Sequence, residues 1–361
     1  MLRTEEFVEP SDAFLRLSRG EFCIDVRSEG EHESATFSQT ILTPLLNNQE
    51  RKEVGTCYKM QGSKAAIDLG HRLISGEIKD ARVKAMLNAS KKNKPFALYC
   101  ARGGLRSKIS QEWLQAQGLE IPRIRGGYKF LRQYALAQLE ELPSSLNFIV
   151  IGGRTGSGKT EILKKLSNKA VLDLEGLANH RGSAFGKHLN PQPGQATFEN
   201  NIALKLFRYS NDKSSYVILE DESKMIGKLK IPEKLFEAKR TSNLIVVESP
   251  LTDRIERIFK EYVLEPSAML SPAELQELLL SSLTAVKKRL GGLMFGEVYQ
   301  KIADAFNDNS IEPQISKHAA WIELLLRHYY DPMYDKALEK GENRILAKGS
   351  YQEISSYLKS L

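Results

Sequence analysis

Cysteine is scarce in this chain of 361 residues, which has three cysteines and no C-x-x-C pair. A disulfide framework or a zinc site usually needs an even or closely spaced set of cysteines, so both are disfavoured. Long apolar runs are also lacking, since no segment approaches the ~20 residues that cross a bilayer. The N-terminus has early acidic residues and no apolar core of a signal peptide. We therefore expect free thiols, no membrane contact and a cytoplasmic protein.

The charge of the chain is only moderately one-sided. There are 52 Lys and Arg residues against 45 Asp and Glu residues, which gives a formal net charge of +7. A basic surface that is merely solvated would have the same composition, so charge alone favours a nucleic-acid partner only modestly. Basic residues cluster at 123–132 and at 287–289. These clusters would suit a polyanion but do not establish one.

The apolar pattern predicts an α/β protein in which strands alternate with helices. Short continuous apolar runs of the kind found in buried strands occur at 96–99, 148–151, 216–219 and 244–247, and the segment 22–27 is typical of a short buried strand with a charged exit. Helical patterns lie between them, for example at 62–74 and 81–89. The chain length suits about two domains with an extension.

The best candidate for a domain boundary is the segment that begins at Pro143, where polar residues interrupt the periodicity. We expect an α/β domain over 1–143 and a doubly wound parallel-sheet domain over 144–250. The pattern of the remaining residues, 251–361, predicts a mainly helical C-terminal extension.

A phosphate-binding loop is predicted by eight residues that match G-x-x-x-x-G-K-[ST] between a strand and a helix. They are Gly153, Arg154, Thr155, Gly156, Ser157, Gly158, Lys159 and Thr160. The glycines would let backbone N–H groups turn onto phosphate oxygens. Lys159 would neutralise the distal phosphate, and Thr160 would lie near a phosphate or a bound Mg²⁺. Any diphosphate would suit such a loop, so no ATP requirement is assumed.

Two acidic residues, Glu220 and Asp221, follow the apolar run at 216–219. Asp221 could hold Mg²⁺, as acidic residues at strand ends do in phosphoryl-transfer enzymes. The alternative is a pair of solvated carboxylates at the end of a strand. No metal site is assigned.

A reactive cysteine is predicted at Cys100, which follows a strand and precedes a loop with two glycines and two arginines. The glycines would let the backbone fold around the sulfur. The following helix, together with Arg102 and Arg106, would favour the thiolate over the thiol. Such a cysteine serves as a nucleophile or a chalcogen carrier. Cys23, inside an apolar strand, and Cys57 lack this environment and are interpreted as structural or incidental.

The first part of the chain resembles a rhodanese domain in the segment 24–27, in the loop at Cys100 and in the segment 125–128. The fusion to a phosphate-binding loop, together with the strings at 54–56, 173–182 and 219–223, resembles the bacterial tRNA 2-selenouridine synthase family. This resemblance covers almost the whole chain. It implies an N-terminal rhodanese-like α/β domain followed by a P-loop doubly wound parallel-sheet domain.

The resemblance also implies a transferase activity on tRNA. Members of this family replace sulfur by selenium in 2-thiouridine at the wobble position, with selenophosphate as the selenium donor. They also transfer a geranyl group from geranyl diphosphate onto that sulfur, which makes the sulfur a better leaving group. The partners implied are tRNA with 2-thiouridine and an enzyme that produces selenophosphate.

Residue roles follow from the same resemblance. The phosphate loop, including Lys159 and Thr160, would bind a phosphate-bearing co-substrate, and Cys100 would carry selenium or otherwise assist selenation. Arg181 and His180 could serve the tRNA or the phosphates, but His180 is better interpreted as a satisfied or solvated histidine than as a catalytic one. We expect the C-terminal third to be basic and to contact the tRNA, with Tyr329 and Tyr330 stacking on a base or packing in the core.

The chain departs from the rhodanese pattern in two places. Ala101 occupies a position where a bulky aromatic residue is expected, and the segment 34–40 lacks a Gly-His-Ile-Pro-Gly string. Two other functions stay open. One is a sulfurtransferase with a regulatory P-loop domain, and the other is a nucleotide-driven binding module.

Overall fold

The structure is a computed structural model that describes residues 6–166, 168–186, 189–307, 313–339 and 341–361. Contacts group the chain into two compact units, which are named here unit 1 and unit 2. Unit 1 contains Met1–Pro143 and Pro193–Lys213, and unit 2 contains Ser144–Gln192 and Ser214–Leu361. This grouping differs from the three regions expected from the sequence, because 251–361 joins the phosphate-loop unit and 193–213 joins unit 1.

Unit 1 is built on a five-stranded parallel sheet with the strand order β1-β5-β4-β2-β3. The strands are β1 (Phe7–Val8), β2 (Cys23–Asp25), β3 (Thr40–Leu42), β4 (Ala97–Tyr99) and β5 (Arg123–Ile124). The helices are α1 (Pro10–Ser18), α2 (Glu29–Ser34), α3 (Asn48–Leu73), α4 (Gly76–Asn93), α5 (Leu105–Gln115), α6 (Gly127–Ser145) and α9 (Gln195–Asn211). All residues of β2 and β4 are buried, which confirms the two strands predicted in this part of the chain.

Helix α9 belongs to unit 1 because of its aromatic packing. The ring of Phe207 lies 5.2 Å from that of Phe14 on α1 and 5.9 Å from that of Tyr134 on α6. Phe14 and Tyr134 are 5.1 Å apart, so the three rings contact one another edge to face. Such aromatic pairs add to the free energy of burial. The sequence pattern does not indicate this assignment, since α9 lies between segments of unit 2.

Helix α3 is interrupted at Gly62, whose φ of +83° and ψ of −177° are not helical. A Cβ atom on Gly70 would lie 3.9 Å from Cγ2 of Val54. In a straight helix these 16 residues would span about 24 Å. The chain therefore reverses at Gly62, and α3 is two antiparallel helical arms. The helix predicted at 62–74 is the second arm alone.

Unit 2 contains a second five-stranded parallel sheet, with the order β12-β11-β6-β8-β7. Its strands are β6 (Phe148–Gly152), β7 (Val171–Leu172), β8 (Val217–Glu220), β11 (Asn243–Glu248) and β12 (Ile345–Ser350), and a small antiparallel hairpin contains β9 (Met225–Ile226) and β10 (Leu229–Lys230). The predicted strands at 148–151, 216–219 and 244–247 are confirmed as β6, β8 and β11. The α/β class with parallel sheets is thereby confirmed.

The helices of unit 2 lie mostly in its C-terminal part. They are α7 (Lys159–Lys164), α8 (Leu174–Ala178), α10 (Glu233–Thr241), α11 (Leu251–Phe259), α12 (Glu265–Ser267), α13 (Pro272–Leu290), α14 (Gly292–Asp304), α15 (Ile315–Leu325), α16 (Asp331–Glu339) and α17 (Tyr351–Ser360). Helix α11 continues as a π-helical turn over Lys260–Leu264 and α15 as another over Leu326–Tyr330, and a 3-10 turn covers Glu342–Arg344. None of the helices in the described ranges is long and apolar enough to cross a membrane.

The C-terminal region is more than a helical extension, since its strand β12 forms an edge of the central sheet and pairs with β11. Tyr329 and Tyr330 are 7% and 6% exposed and pack in the helical core, so neither can stack on a base. Residues 251–361 contain 14 Lys and Arg against 16 Asp and Glu. The expected basic character of this region is therefore wrong, and its net charge does not support the predicted tRNA contact.

Candidate functional site

The phosphate-loop residues lie in a loop between strand β6 and helix α7, which is the context that the motif requires. Gly156 has a φ of +80°, and a Cβ atom there would approach the carbonyl oxygen of Arg254 to 2.9 Å. Only glycine suits this position. Lys159 Nζ donates to the carbonyl oxygen of Gly153 at 2.8 Å, so the amine lies over the loop. Ser157 Oγ is buried without a hydrogen-bond partner among the described residues.

Two arginines of α11 hold the backbone of this loop from outside. Arg254 Nε donates to the carbonyl oxygen of Thr155 at 2.8 Å, and Arg257 Nη1 donates to that of Gly156 at 3.2 Å. The guanidinium of Arg254 is 2% exposed and forms two hydrogen bonds, of 3.0 and 2.5 Å, with the carboxylate of Asp331. The sequence pattern does not identify these arginines because about a hundred residues separate them from the loop.

Replacing Arg254 with methionine is expected to destabilise unit 2 by about 3 kcal/mol, because Asp331 would lose both hydrogen bonds from Arg254 in a largely buried position. Among the described residues, it would keep only a longer ion pair, at 3.9 Å, with Arg154. Urea unfolding followed by the fluorescence of Trp321, which is buried in the same unit, measures this loss. The matched control is Arg154→Met. Arg154 pairs with Asp335, but its side chain is 46% exposed, so we expect a loss below about 1 kcal/mol. Equal losses for the two variants would contradict this interpretation.

A cluster of carboxyl groups lies beside the phosphate loop. Thr160 Oγ1 donates to Glu175 Oε2 at 3.0 Å, and Glu222 lies near enough for its charge to raise the pKa of Glu175. Glu220 Oε2 accepts from the backbone N–H of Leu174 at 3.0 Å. The strings 173–182 and 219–223 therefore meet at this loop, which agrees with their shared resemblance to one family.

Burial raises the pKa of Glu175 to about 7, and the nearby charge of Glu222 contributes to the same shift. Burial also raises the pKa of Glu222, against the opposing charges of Lys159 and Lys239. Because both pKa values are raised, the two carboxyl groups hold protons to a higher pH than free glutamates do. The cluster therefore changes its charge as the pH passes through about 7, the pKa of Glu175.

Glu175 and Asp221 have different partners. The carboxylate of Asp221 accepts from Lys239 Nζ at 2.6 Å, so the acidic residue that contacts Thr160 is Glu175 and not Asp221. Within the described ranges, no group of three His, Cys, Asp or Glu is arranged to hold a metal ion. A Mg²⁺ ion at a P-loop usually relies on one hydroxyl and on phosphate oxygens. The use of Mg²⁺ therefore stays a prediction.

The raised pKa of Glu175 predicts a specific pH dependence of stability. Since the folded protein holds this proton more tightly than the unfolded chain, the stabilisation is complete below about pH 4.5 and is lost as the pH rises through about 7. Glu175→Gln removes this loss. Between pH 5 and 8 the variant should gain about 2 kcal/mol relative to the wild type.

Thermal unfolding at several pH values between 5 and 8 tests this prediction. The control is Glu237→Gln, because the side chain of Glu237 is 57% exposed and pairs only with Lys234 in the described part of the chain. Its pH profile should run parallel to that of the wild type. A parallel profile for Glu175→Gln would show that Glu175 is ionised in the folded protein at pH 5.

Arg181 and His180 lie outside these contacts. Arg181 Nη2 forms a 2.8 Å ion pair with Glu265, and its guanidinium lies 5.9 Å from the ring of Tyr262. His180 is 6% exposed, so it is not a solvated surface histidine. Among the described residues, the side chain of Arg181 forms no hydrogen bond with a residue of the phosphate loop.

The cysteine loop belongs to unit 1. Cys100 follows β4, is 3% exposed, and has its Sγ 3.3 Å from Ser107 Oγ. The loop rests on the start of α6, where the N–H groups of Tyr128 and Lys129 donate to the carbonyl oxygens of Cys100 and Ala101 at 2.9 and 3.0 Å. The sulfur is therefore held in a fixed position beneath the surface. Cys23 is fully buried, as expected for a structural residue.

The two arginines of the cysteine loop have different environments. Arg102 is exposed. Arg106 forms two hydrogen bonds with the carboxylate of Glu31, at 2.6 and 3.0 Å. Burial would raise the pKa of Glu31, but Arg106 and the N–H of Ser28 lower it to about 2. Arg106 is predicted to stabilise an anion, but it already pairs with Glu31. To fill the predicted role, Arg106 would have to leave Glu31 or contact Glu31 and the anion together.

A buried polar network joins the segments 24–27 and 125–128. Arg27 forms hydrogen bonds of 2.6 to 3.0 Å with Asp25, and its guanidinium lies 4.0 Å from the centre of the Tyr128 ring. Tyr99 Oη also donates to Asp25 at 3.0 Å. Burial would raise the pKa of Asp25, but hydrogen bonds from His32 and Arg27 hold it below its usual value. The network fixes β2, β4 and α6 around the cysteine loop.

The fold and these contacts define a two-unit α/β protein with a G-x-x-x-x-G-K-T loop in one unit and a loop around a buried cysteine in the other. Residues 146–361 match the family model of the tRNA 2-selenouridine synthase AAA domain. The chain belongs to the tRNA 2-selenouridine synthase family.

Relatives with this name are similar over nearly the whole chain. The tRNA 2-selenouridine synthase of Shewanella oneidensis strain MR-1 is 40% identical over 350 residues, which cover 95% of this chain and 93% of the relative. That of Shewanella sp. strain ANA-3 is 41% identical, with 94% of each chain covered. That of Shewanella sediminis strain HAW-EB3 is 39% identical, with 97% of each covered.

Among solved structures, the N-terminal domain of a Clostridium difficile 630 protein described as ATP/GTP binding is 35% identical. The match covers 36% of this chain and 98% of that domain, with a TM-score of 0.33. That score is too low to establish a shared fold.

Proposed function

We propose that this chain is a tRNA 2-selenouridine synthase, which replaces the sulfur of 2-thiouridine at the wobble position by selenium. The observation that supports this most strongly is the similarity to enzymes of that name over 95% of the chain. The presence of a cysteine loop and a phosphate loop in one chain agrees with it. In this proposal unit 1 is a rhodanese-like domain.

The phosphate loop would serve geranyl transfer. The sulfur of 2-thiouridine attacks C1 of geranyl diphosphate, the C–O bond breaks, diphosphate leaves, and the N3 proton of the base is released to solvent. Lys159 and the N–H groups of the loop would stabilise the charge that develops on the leaving diphosphate. Glu175, which accepts a hydrogen bond from Thr160, would orient that hydroxyl. Charge stabilisation by this loop needs no ATP.

The cysteine loop would serve selenation, with selenophosphate as donor. Its selenium attacks C2 of the geranylated base, and the C2–S bond breaks with loss of geranylthiolate, which takes up a proton. Water then attacks phosphorus, and cleavage of the Se–P bond gives phosphate and 2-selenouridine. Selenium is already reduced in selenophosphate, so bonding it to Cys100 as a selenenyl sulfide would require an oxidant. We therefore assign Cys100 an assisting role, as proton donor to the leaving geranylthiolate. This role requires the thiol at that step and not the thiolate that the composition of the loop predicts.

Mass spectrometry of nucleosides tests the proposal. A tRNA with 2-thiouridine is incubated with the protein and with geranyl diphosphate, selenophosphate or both. Geranylthiouridine in the first mixture and 2-selenouridine in the third are the expected products. Unchanged 2-thiouridine in all mixtures would overturn the proposal and would favour a sulfurtransferase with a regulatory P-loop domain. An enzyme that makes selenophosphate would be the expected supplier in the cell.

A further inference from the structure

The two arms of α3 and helix α4 form a basic projection of unit 1, which is called here the basic hairpin and comprises residues 48–94. This segment contains 11 Lys and Arg residues and five Asp and Glu residues. It therefore holds a net charge of +6, whereas the whole chain has +7. Positive charge concentrated on one element is the electrostatic pattern of a surface that binds a polyanion.

The basic hairpin is poorly buried for helices of this length. Among the 26 residues of α3 only Ala66 is buried, and among the 18 residues of α4 only Met86 and Ser90 are. Helices normally bury an apolar stripe against the rest of the protein. A helical arm of about 13 residues that extends to a turn at Gly62 reaches roughly 20 Å from its base. The arms therefore present most of their surface to solvent.

The tip of the basic hairpin, residues 58–64, is exposed throughout. Tyr58 is 60% exposed and Met60 is 77% exposed. Lys59 and Lys64 lie in the same segment, on either side of the turn at Gly62. An aromatic ring between cations is the combination that recognises unstacked bases, because the ring stacks on a base while the cations contact its phosphates.

The cations of the arms are not neutralised by neighbouring acids. Over the described residues, Lys52, Lys59 and Lys64 form no ion pair, whereas Arg82 pairs with Glu50 at 3.3 Å and Arg51 with Glu31 at 3.1 Å. Arg51, Arg82 and Lys52 lie toward the base of the hairpin, and Lys59 and Lys64 lie at its tip. The three lysines are available to an external anion, whereas the two arginines are held by acidic partners.

The base of the basic hairpin adjoins the cysteine loop within unit 1. Val54, Leu73 and Met86 pack in the same apolar cluster as Cys100. Glu31 contacts both Arg51 on the first arm and Arg106 in the cysteine loop. An RNA bound along the arms would therefore lie on the side of unit 1 that holds the reactive sulfur.

We infer that the basic hairpin binds the RNA substrate, with Lys52, Lys59 and Lys64 on phosphates and Tyr58 stacked on an unpaired base. This inference rests on the proposed function for the identity of the RNA. The sequence pattern predicts that the C-terminal region contacts the tRNA. The inference assigns this contact to a surface of unit 1 instead. The string 54–56, for which the proposed chemistry gives no role, belongs to the first arm of this surface.

Binding of tRNA with 2-thiouridine, measured by fluorescence anisotropy at several salt concentrations, tests the inference. The triple variant Lys52→Gln, Lys59→Gln, Lys64→Gln keeps helix-forming side chains and should bind at least about ten-fold more weakly at roughly 150 mM salt. The slope of log affinity against log salt should fall by about 2, since each phosphate contact contributes about 0.7 to 0.9. The matched control is the triple variant Lys287→Gln, Lys288→Gln, Arg289→Gln, which should bind like the wild type.

The aromatic contact has its own test. Tyr58→Ala should weaken tRNA binding about ten-fold without changing the salt slope, and Tyr58→Phe should restore it. Binding to a fully paired RNA duplex should be the same for all three proteins. Unchanged tRNA affinity in both the lysine triple variant and Tyr58→Ala, with melting temperatures like the wild type, would overturn the inference.

Two further outcomes distinguish an RNA-binding hairpin from a membrane-binding one and from a C-terminal RNA contact. If the wild-type protein fails to bind the tRNA at all, the proposed function itself is wrong. If the lysine triple variant binds tRNA normally but loses binding to vesicles of phosphatidylserine and phosphatidylcholine, the surface recognises membranes and the inference is wrong. A loss in the 287–289 variant alone would return the contact to the C-terminal region.

Discussion

Replacing Cys100 with alanine is expected to abolish formation of 2-selenouridine while geranylthiouridine still accumulates. The sulfur belongs to a buried cysteine of unit 1, and the proposed geranyl transfer uses the phosphate loop of unit 2 and needs no thiol. Without the thiol, the geranylthiolate would leave without a proton donor, which costs about 10²- to 10⁴-fold for general acid catalysis. Nucleoside mass spectrometry with both co-substrates measures the two products separately.

Cys57→Ala is the matched control for this variant. Cys57 lies on α3, is only partly buried and has no arginine-bearing glycine loop around it. Its selenation rate should stay within about two-fold of the wild type. Melting temperatures of both variants show whether the folds are intact, since removing a small buried side chain costs about 1 kcal/mol. Selenation at the wild-type rate in Cys100→Ala would exclude the assigned role.

Replacing Lys159 with methionine should lower the rate of geranyl transfer by about 10²- to 10³-fold, the usual cost of losing one charge-stabilising donor. The amine lies over the loop, where it donates to the carbonyl oxygen of Gly153. Methionine keeps the length of the side chain and removes its charge. The measurement is the initial rate of geranylthiouridine formation at saturating geranyl diphosphate.

The control is Lys164→Met, because Lys164 lies on the same helix α7 and is exposed. This variant should keep the wild-type rate within about two-fold. Loss of the hydrogen bond from Lys159 should cost only about 1 kcal/mol of stability, so both proteins stay folded at the assay temperature. Equal geranylation by Lys159→Met and Lys164→Met would show that the phosphate loop does not take part in the transfer.

Local sequence is sufficient to predict both loops. In each case a buried strand, a glycine-containing turn and a helix follow one another within about 20 residues, and the turn geometry depends on those residues alone. The continuous apolar runs of β6, β8 and β11 likewise predict central parallel strands, because strands covered on both faces lose the alternation of polar and apolar residues. Strand β12 escapes prediction because it is a half-exposed edge strand.

The partners of the loop residues cannot be predicted, because they come from distant parts of the chain. Arg254 and Arg257 hold the phosphate loop from α11, Glu175 rather than Asp221 contacts Thr160, and Glu31 pairs with Arg106. Each contact depends on which helices the sheets bring together, and the residues involved look like ordinary surface charges in the sequence.

The sequence by itself thus determined the class of fold and the positions of the cysteine and phosphate loops, since turn geometry and strand burial are set by neighbouring residues. Only the tertiary structure decided which charged groups surround those loops. It also decided that α9 belongs to unit 1 and that α3 folds back at Gly62 into two exposed basic arms. These features depend on contacts between residues far apart in the chain, and no local pattern encodes such contacts.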